Sequence, residues 1–400
     1  MQTRTQVKGF EKFKIIVILA LMSSIAPLST DMYLPALTKV QESFETTPFL
    51  TQLSLASFFI AFALGQLIYG PLSDIFGRKK PLCVGVVLFM LSSLSCVLVD
   101  SVSAFIILRF FEALGGCAGV VIARAIVNDV FELKEAASIY ALMMVVSSLA
   151  PMLSPAFGSL LLQFFSWVSI FIVLFIFGIV LFLLLIFSLK ESAKNAGKVE
   201  FSREEILKSY KSVLTDKLFM LYACAGALSM AGMFAYITGS SFVFTQFFGL
   251  SEQKYGILFG INALGFVLFA NINARLVLKY SPYTILPKAF MVMLVLSIVL
   301  VLSAFFTANF WFFEIALFFT ISMLGFLMPN ITTSAMARFA SNHSGTASAV
   351  LGTTQFALAG CVSFFVGILD ANSPVLLGGV ISLCCFLAAL SYLFVKKYIH

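Results

Sequence analysis

Runs of about 20 apolar residues, each long enough to cross about 30 Å of hydrocarbon, recur along the whole chain with short polar turns between them. Twelve such runs begin near Ile15, Phe49, Pro81, Val102, Ile139, Val168, Leu218, Tyr255, Ile285, Phe310, Ala347 and Val375. One polar interval is longer, Lys190 to Lys217, and it falls near the midpoint. The pattern predicts an all-α polytopic membrane protein. An N-terminal six-helix bundle over 1–189 and a C-terminal six-helix bundle over 218–400 flank a cytoplasmic linker over 190–217. Within the linker, Ser202 and Glu205 have the spacing of a helix capping box. Phe201, Leu207, Tyr210 and Leu214 follow at near-helical spacing, which predicts an amphipathic helix on the inner leaflet, with a solvated tether as the alternative.

Composition agrees with a bilayer as solvent. The chain is 61% hydrophobic and 11% charged with mean hydropathy +1.06, against about 25% charge in a soluble globule. Charge also sets the predicted orientation. With a cytoplasmic N-terminus, all but three of the 25 Lys and Arg residues fall in inside segments. Lys39 and Lys254 face outward and Arg109 lies within a span, so both termini are expected in the cytoplasm. The net charge of +7 thus describes a membrane face, and no basic run interleaved with aromatics offers a nucleic-acid site. The first apolar run is too long for a secretory signal and lacks a small-x-small cleavage site. The seven cysteines lie in apolar runs without metal-ligand spacing and read as small core residues.

A sharp interruption lies at Gly70-Pro-Leu-Ser-Asp-Ile-Phe-Gly-Arg-Lys-Lys80, where hydrocarbon would tolerate neither the Gly/Pro break nor four charges. It reads as a tight aqueous turn between spans 2 and 3. The stretch resembles the loop motif GxLaDrxGrk of the major facilitator superfamily, with Gly70, Leu72, Asp74, Gly77, Arg78 and Lys79 on its positions. Leu108 to Gly116, containing Arg109 and Glu112, resembles the family's span 4 motif, with Glu112 in place of the usual glutamine. Ser154 to Ser159, containing Pro155 and Gly158, resembles the antiporter motif GPxxGG with both outer glycines replaced by serine. The segments Ser29 to Leu37, Val121 to Asp129 and Phe234 to Phe242 resemble the Bcr/CflA group of drug:proton antiporters, as do Asn262 and the stretch Gly345 to Ser348. The resemblance implies the major facilitator fold with twelve transmembrane helices in two bundles. It also implies a multi-pass protein of the bacterial inner membrane that exports drug-like molecules in exchange for protons. A proton symporter importing a small nutrient is the competing reading, and separating the two needs vesicles of defined sidedness. The resemblance further implies a cytoplasmic latch in which Asp74, Arg78 and Asp129 meet the start of span 11 near Gly345; an ordinary charged turn is the bland alternative.

Three charged residues are read as lying within hydrocarbon: Asp31, Arg109 and Glu112. At 1.5 Å per residue Asp31 lies roughly 24 Å along span 1, and Arg109 roughly 10 Å below the outer edge of span 4. The two therefore fall at similar depth. Proton coupling needs a carboxylate whose affinity for a proton changes with its surroundings. Asp31 is the candidate, with Arg109 as the modulating charge and Glu112 as a second titratable group. Arg109 and Glu112 also stand three apart on one face, so a self-satisfied pair that only orders span 4 is an open alternative. Tyr33, Tyr236, Asn262 and Gln355 are the expected substrate-cavity contacts. Pro27, Pro35, Pro151, Gly115, Gly116 and Gly119 should bend helices or permit close approach. The Asn330 and Asn342 sequons fall in or beside inward-facing segments, so no glycan is expected.

Other function classes lack their chemistry. No G-x-x-x-x-G-K-[ST] loop is present, since Gly197-Lys198 is followed by valine, so ATP-driven pumping is not expected. Two histidines, His343 and His400, sit near aqueous ends, and no nucleophile or metal constellation accompanies them, so no enzyme, metal or cofactor is predicted. The partners expected are a small drug-like substrate, protons and the lipid bilayer, with the chain working as a monomer on the proton gradient.

Overall fold

A computed structural model describes residues 10–131, 139, 150, 153–192, 203–306, 309–339, 344–369 and 373–399. The described residues form helices and turns. Eleven of these helical segments are long and apolar enough to cross a membrane. A shorter apolar helix, α6 (Leu153–Phe164), lies where the fifth span is expected. Most of that span, including Pro151, lies outside the described residues. Packing divides the chain into two compact units, Met1–Ala36 with Ser57–Ser202, and Leu37–Ala56 with Arg203–His400.

The first unit holds α1 (Phe10–Asp31), most of α3 (Pro48–Phe76), α4 (Lys79–Leu98), α5 (Val102–Val130), α6 and α7 (Val168–Ser188); α2 (Leu37–Ser43) and the start of α3 group with the second unit. The first apolar run is not one helix. After Asp31 the chain turns through a 3-10 segment, Leu34–Ala36, before α2 begins. Pro35 explains the break: it lacks an N–H and disfavours helical geometry at Leu34. The interval read as a turn from Gly70 to Lys80 is also shorter than expected. α3 carries Pro71 inside it and runs to Phe76, leaving only Gly77 and Arg78 between helices. Gly77 makes this possible by adopting φ +84°, a region that other residues enter only at a cost. Small residues seat α4 against α5, where a side chain at Gly115 would meet the Gly85 carbonyl and the Phe89 amide at 2.5 Å.

The second unit holds α8 (Arg203–Thr215), α9 (Lys217–Phe242), α10 (Glu252–Leu276), α11 (Pro282–Phe306), α12 (Phe310–Ser322), α13 (Leu324–Met336), α14 (Ser344–Ile368) and α15 (Pro374–Ile399). The tenth expected span is interrupted at Met323 into α12 and α13. Gly325 lies so close to α10 that a side chain there would strike the Ala270 amide and the Phe266 carbonyl at 2.5 Å. The linker helix α8 forms, but its apolar positions divide: Val213 is buried, whereas Leu207 and Leu214 are exposed. Exposed apolar side chains at the end of a membrane bundle suit a lipid-facing surface. Ser202 lies outside the described residues, as does the Glu205 side chain, and with them the capping box. Asp216 instead caps α9, accepting from the Phe219 amide at 2.8 Å. Four cysteines (Cys96, Cys117, Cys384, Cys385) are core residues as read; Cys361 is exposed, and all seven are free thiols.

Candidate functional site

In the first unit the residues singled out on spans 1 and 4 meet around the end of α1. The last four carbonyls of any α-helix lack intrahelical partners. Here one of them, Ser29 O, accepts from Arg109 Nη2 of α5 at 2.9 Å. Arg109 therefore places a positive charge on the negative end of α1, the favourable arrangement for the helix dipole. Its other terminal nitrogen donates to Glu112 Oε2 at 2.7 Å, one turn on, and both side chains are wholly buried. Three rings enclose the guanidinium, with centroids 4.9 Å (Tyr33), 4.7 Å (Phe58) and 5.6 Å (Phe171) from its carbon. Such contacts are worth about 0.5 to 2 kcal/mol each. Tyr33, expected to line a substrate cavity, is thus a fully buried wall of the Arg109 enclosure.

Asp31 closes α1 two residues beyond Ser29 and is 4% exposed. Thr30 Oγ1 donates to its Oδ1 at 3.0 Å, and the same hydroxyl lies 2.9 Å from the Ala26 carbonyl. Among the described residues no ion pair reaches the Asp31 carboxylate: Arg109 is committed to Glu112 and to the α1 carbonyl instead. The structure links Arg109 to Asp31 through the α1 backbone rather than through direct charge pairing. Gly158 of α6 lies beside the same break, where any side chain would overlap the Met32 carbonyl. Pro155 stands one turn earlier on α6, and Ser159 Oγ donates to its carbonyl at 2.7 Å. The segment that resembles an antiporter motif therefore packs on the backbone next to Asp31.

At the α3–α4 turn, Arg78 Nε donates to Asp129 Oδ2 at 2.8 Å and Arg78 Nη1 donates to Ser73 Oγ at 2.8 Å. Glu191, which the sequence reading did not single out, caps α4: its two oxygens accept from the Arg78 and Lys79 amides at 2.8 and 3.1 Å. Lys79 Nζ donates to the Ile186 carbonyl at 3.0 Å. Arg78 and Asp129, both named for the expected latch, are thus paired with each other within this unit. Gly70 lies within α3, with Ser73 Oγ donating to its carbonyl at 2.9 Å. Asp74 is in the same helix, its side chain outside the described residues, and Gly345 is in the first turn of α14.

The second unit contains a polar cluster on spans 7, 8 and 10. Asn262 of α10 donates through Nδ2 to Glu314 Oε1 of α12 at 2.9 Å and to Tyr236 Oη of α9 at 3.1 Å. Tyr236 stacks on Phe259, centroids 5.2 Å apart and planes 14° apart. Tyr236 and Asn262, each named as a substrate-cavity contact, are thus bonded to one another in the packed interior. Gln355 is half-buried on α14, and no hydrogen bond joins it to them. Glu314 is a further buried acid, one that the sequence reading did not single out beside Asp31, Arg109 and Glu112. It is 4% exposed and among the buried groups of α12. Its proximity to the expected start of the tenth span hid it; an acid following Phe310-Trp-Phe-Phe313 was the available signal. Among the described residues, no group of His, Cys, Asp and Glu is arranged to hold a metal ion.

The sequence model of the Major Facilitator Superfamily matches residues 19–364. The chain belongs to this superfamily. It is 33% identical over 391 residues to the MFS-type transporter YdgK of Bacillus subtilis (strain 168), covering 97% of both chains. It is 28% identical to a bicyclomycin resistance protein homolog of Haemophilus influenzae (strain ATCC 51907 / DSM 11121 / KW20 / Rd), covering 96% of both. A crystal structure of a D-xylose-proton symporter superposes with a TM-score of 0.77 at 15% identity, covering 94% of this chain and 97% of that one. Membership of the family makes the protein a transporter of small molecules, not an enzyme, and a multi-pass protein of the bacterial inner membrane, and the superposed structure shares its fold.

Proposed function

We propose that this transporter is a proton-coupled antiporter that exports drug-like amphipathic molecules by alternating access, with Asp31 carrying the exchanged proton. The observation that carries this reading is the state of Asp31: buried, with no cation on it among the described residues, at the negative end of a broken helix. A carboxylate so placed gains or loses a proton according to whether water reaches it. Arg109 holds the preceding turn of α1 through Ser29 and is itself braced by Glu112, so motion of α5 against α1 changes the surroundings of Asp31. Relatives named for bicyclomycin resistance and as multidrug transporters support a drug-like cargo. The proton gradient is sufficient: about 2.3 kcal/mol per charge per 100 mV sustains roughly a fifty-fold solute gradient. Arg78 and Asp129 serve as the cytoplasmic latch of the cycle, and one chain suffices as the working unit. Asp31→Asn should abolish proton-driven export while leaving drug binding measurable. The test is efflux from an efflux-deficient host, with transport in inverted vesicles under an imposed pH gradient. Unchanged, protonophore-sensitive efflux by that variant would remove Asp31 from the mechanism, and uptake in place of export would favour nutrient symport.

A further inference from the structure

The second unit holds a buried acid that the Asp31 reading does not use. Glu314 has one oxygen engaged by Asn262, while Oε2 is buried without a hydrogen-bond partner, as is Asn262 Oδ1. Among the described residues no ion pair compensates it. On the helices that make most of the contact with α12 the charged side chains are Glu252, Lys254 and Arg275 of α10 and Lys288 of α11, α13 carrying none. α15, which reaches Phe313 at Gly378, carries Lys396 and Lys397 near its far end, and no ion pair among the described side chains joins any of these to Glu314. The nearby titratable groups are phenols: Tyr236, which shares Asn262, and Tyr255, which lies edge-on to Phe259 and within 3.1 Å of Ser240 Oγ. A purely structural role would require only an acceptor for the Asn262 amide, which a glutamine carbonyl supplies without the cost of a burial-prone charge. An acid at this position adds one capacity that an amide lacks, namely reversible binding of a proton.

We propose that Glu314 is a second proton-exchanging carboxylate, separate from Asp31 and housed wholly in the second unit. Asn262 fixes its Oε1, and its Oε2 is the atom that takes the proton. In the uptake step Oε2 forms an O–H bond with a proton from hydronium, which becomes water; release runs in reverse. The inference rests on the proton-coupled reading for its consequence, a second proton in the transport cycle, but its test needs no substrate.

The experiment is infrared difference spectroscopy of the full chain in lipid nanodiscs, titrated from about pH 4 to about pH 9, where carboxyl groups with shifted affinities are resolved. The wild type should show two pH-dependent bands of protonated carboxyl groups from buried sites. Glu314→Gln should remove one and Asp31→Asn the other, each leaving its counterpart in place. A titration of Glu314→Gln that retains every wild-type band overturns the proposal. Loss of the Asp31 band alone on its own substitution leaves the export reading standing, so the two failures are distinguishable. Should Glu314→Gln fail to fold, Asn262→Ala serves instead: it strips the bond from Oε1 and should shift the Glu314 band, and an unshifted band likewise overturns it.

Discussion

Removal of Arg109 tests how the centre of the first unit is held. Arg109→Met leaves Glu112 buried with no cation, takes the donor from the Ser29 carbonyl and empties the space among Tyr33, Phe58 and Phe171. Breaking a buried pair by deleting one partner costs about 3 to 5 kcal/mol, chiefly through the uncompensated charge. Glu112→Leu strands the guanidinium in the same way and should cost a similar amount. The double variant removes both charges. It should recover most of the loss, retaining about 1 to 3 kcal/mol for the unmet Ser29 carbonyl. The coupling energy from this double-mutant cycle should therefore favour the pair by several kcal/mol, far above the median of about 0 to 1 kcal/mol for exposed pairs. The assay is unfolding in mixed detergent micelles by SDS titration, followed by helicity. If the losses of the single variants simply add in the double variant, the two side chains are not a pair, and the account of the α1–α5 junction fails. Export should stay low in the double variant even where stability returns, because Ser29 is no longer gripped.

Gly158→Val drives a branched side chain into the Met32 carbonyl. Overpacking of this kind costs about 1 to 3 kcal/mol; efflux should fall with it, and full wild-type efflux and stability would show that α6 does not brace the Asp31 break. Asp216 supplies a pH-dependent contribution at the base of α9. Partial burial pushes its carboxyl up, but the hydrogen bonds from Arg338 and from the Phe219 amide, with the Arg338 charge, outweigh this and hold it below the usual carboxylate range. A lowered value in the folded state means that the stabilisation is complete above the ordinary carboxylate pKa and disappears as pH falls through the depressed one. The pair is partly exposed, so Arg338→Met should cost no more than about 1 kcal/mol at neutral pH and should flatten the acid limb of a stability–pH curve; an acid limb identical to wild type would exclude Asp216 as its source.

Sequence alone determined that this chain lives in a bilayer, because hydropathy over about 20 residues is a local property; the bias of Lys and Arg, equally local, gives only an expected orientation. It also marked Asp31, Arg109 and Glu112, since a charge inside an apolar run is conspicuous wherever the run folds. What it left open is the direction in which each side chain points. Spans that are apolar on every side give no amphipathic face by which to orient a helix about its axis. The choice of Arg109 between Asp31 and Glu112, and the burial of Glu314 against Asn262, were therefore decided only when neighbouring helices packed. The break after Asp31 and the two-residue turn at Gly77 stand between the two cases: Pro35 and Gly77 permit them locally, and packing decides where each helix stops. Pro35 and Pro71 are both prolines in apolar surroundings, yet one ends a helix and the other is carried within one, because tertiary packing determines whether the freed carbonyls are tolerated.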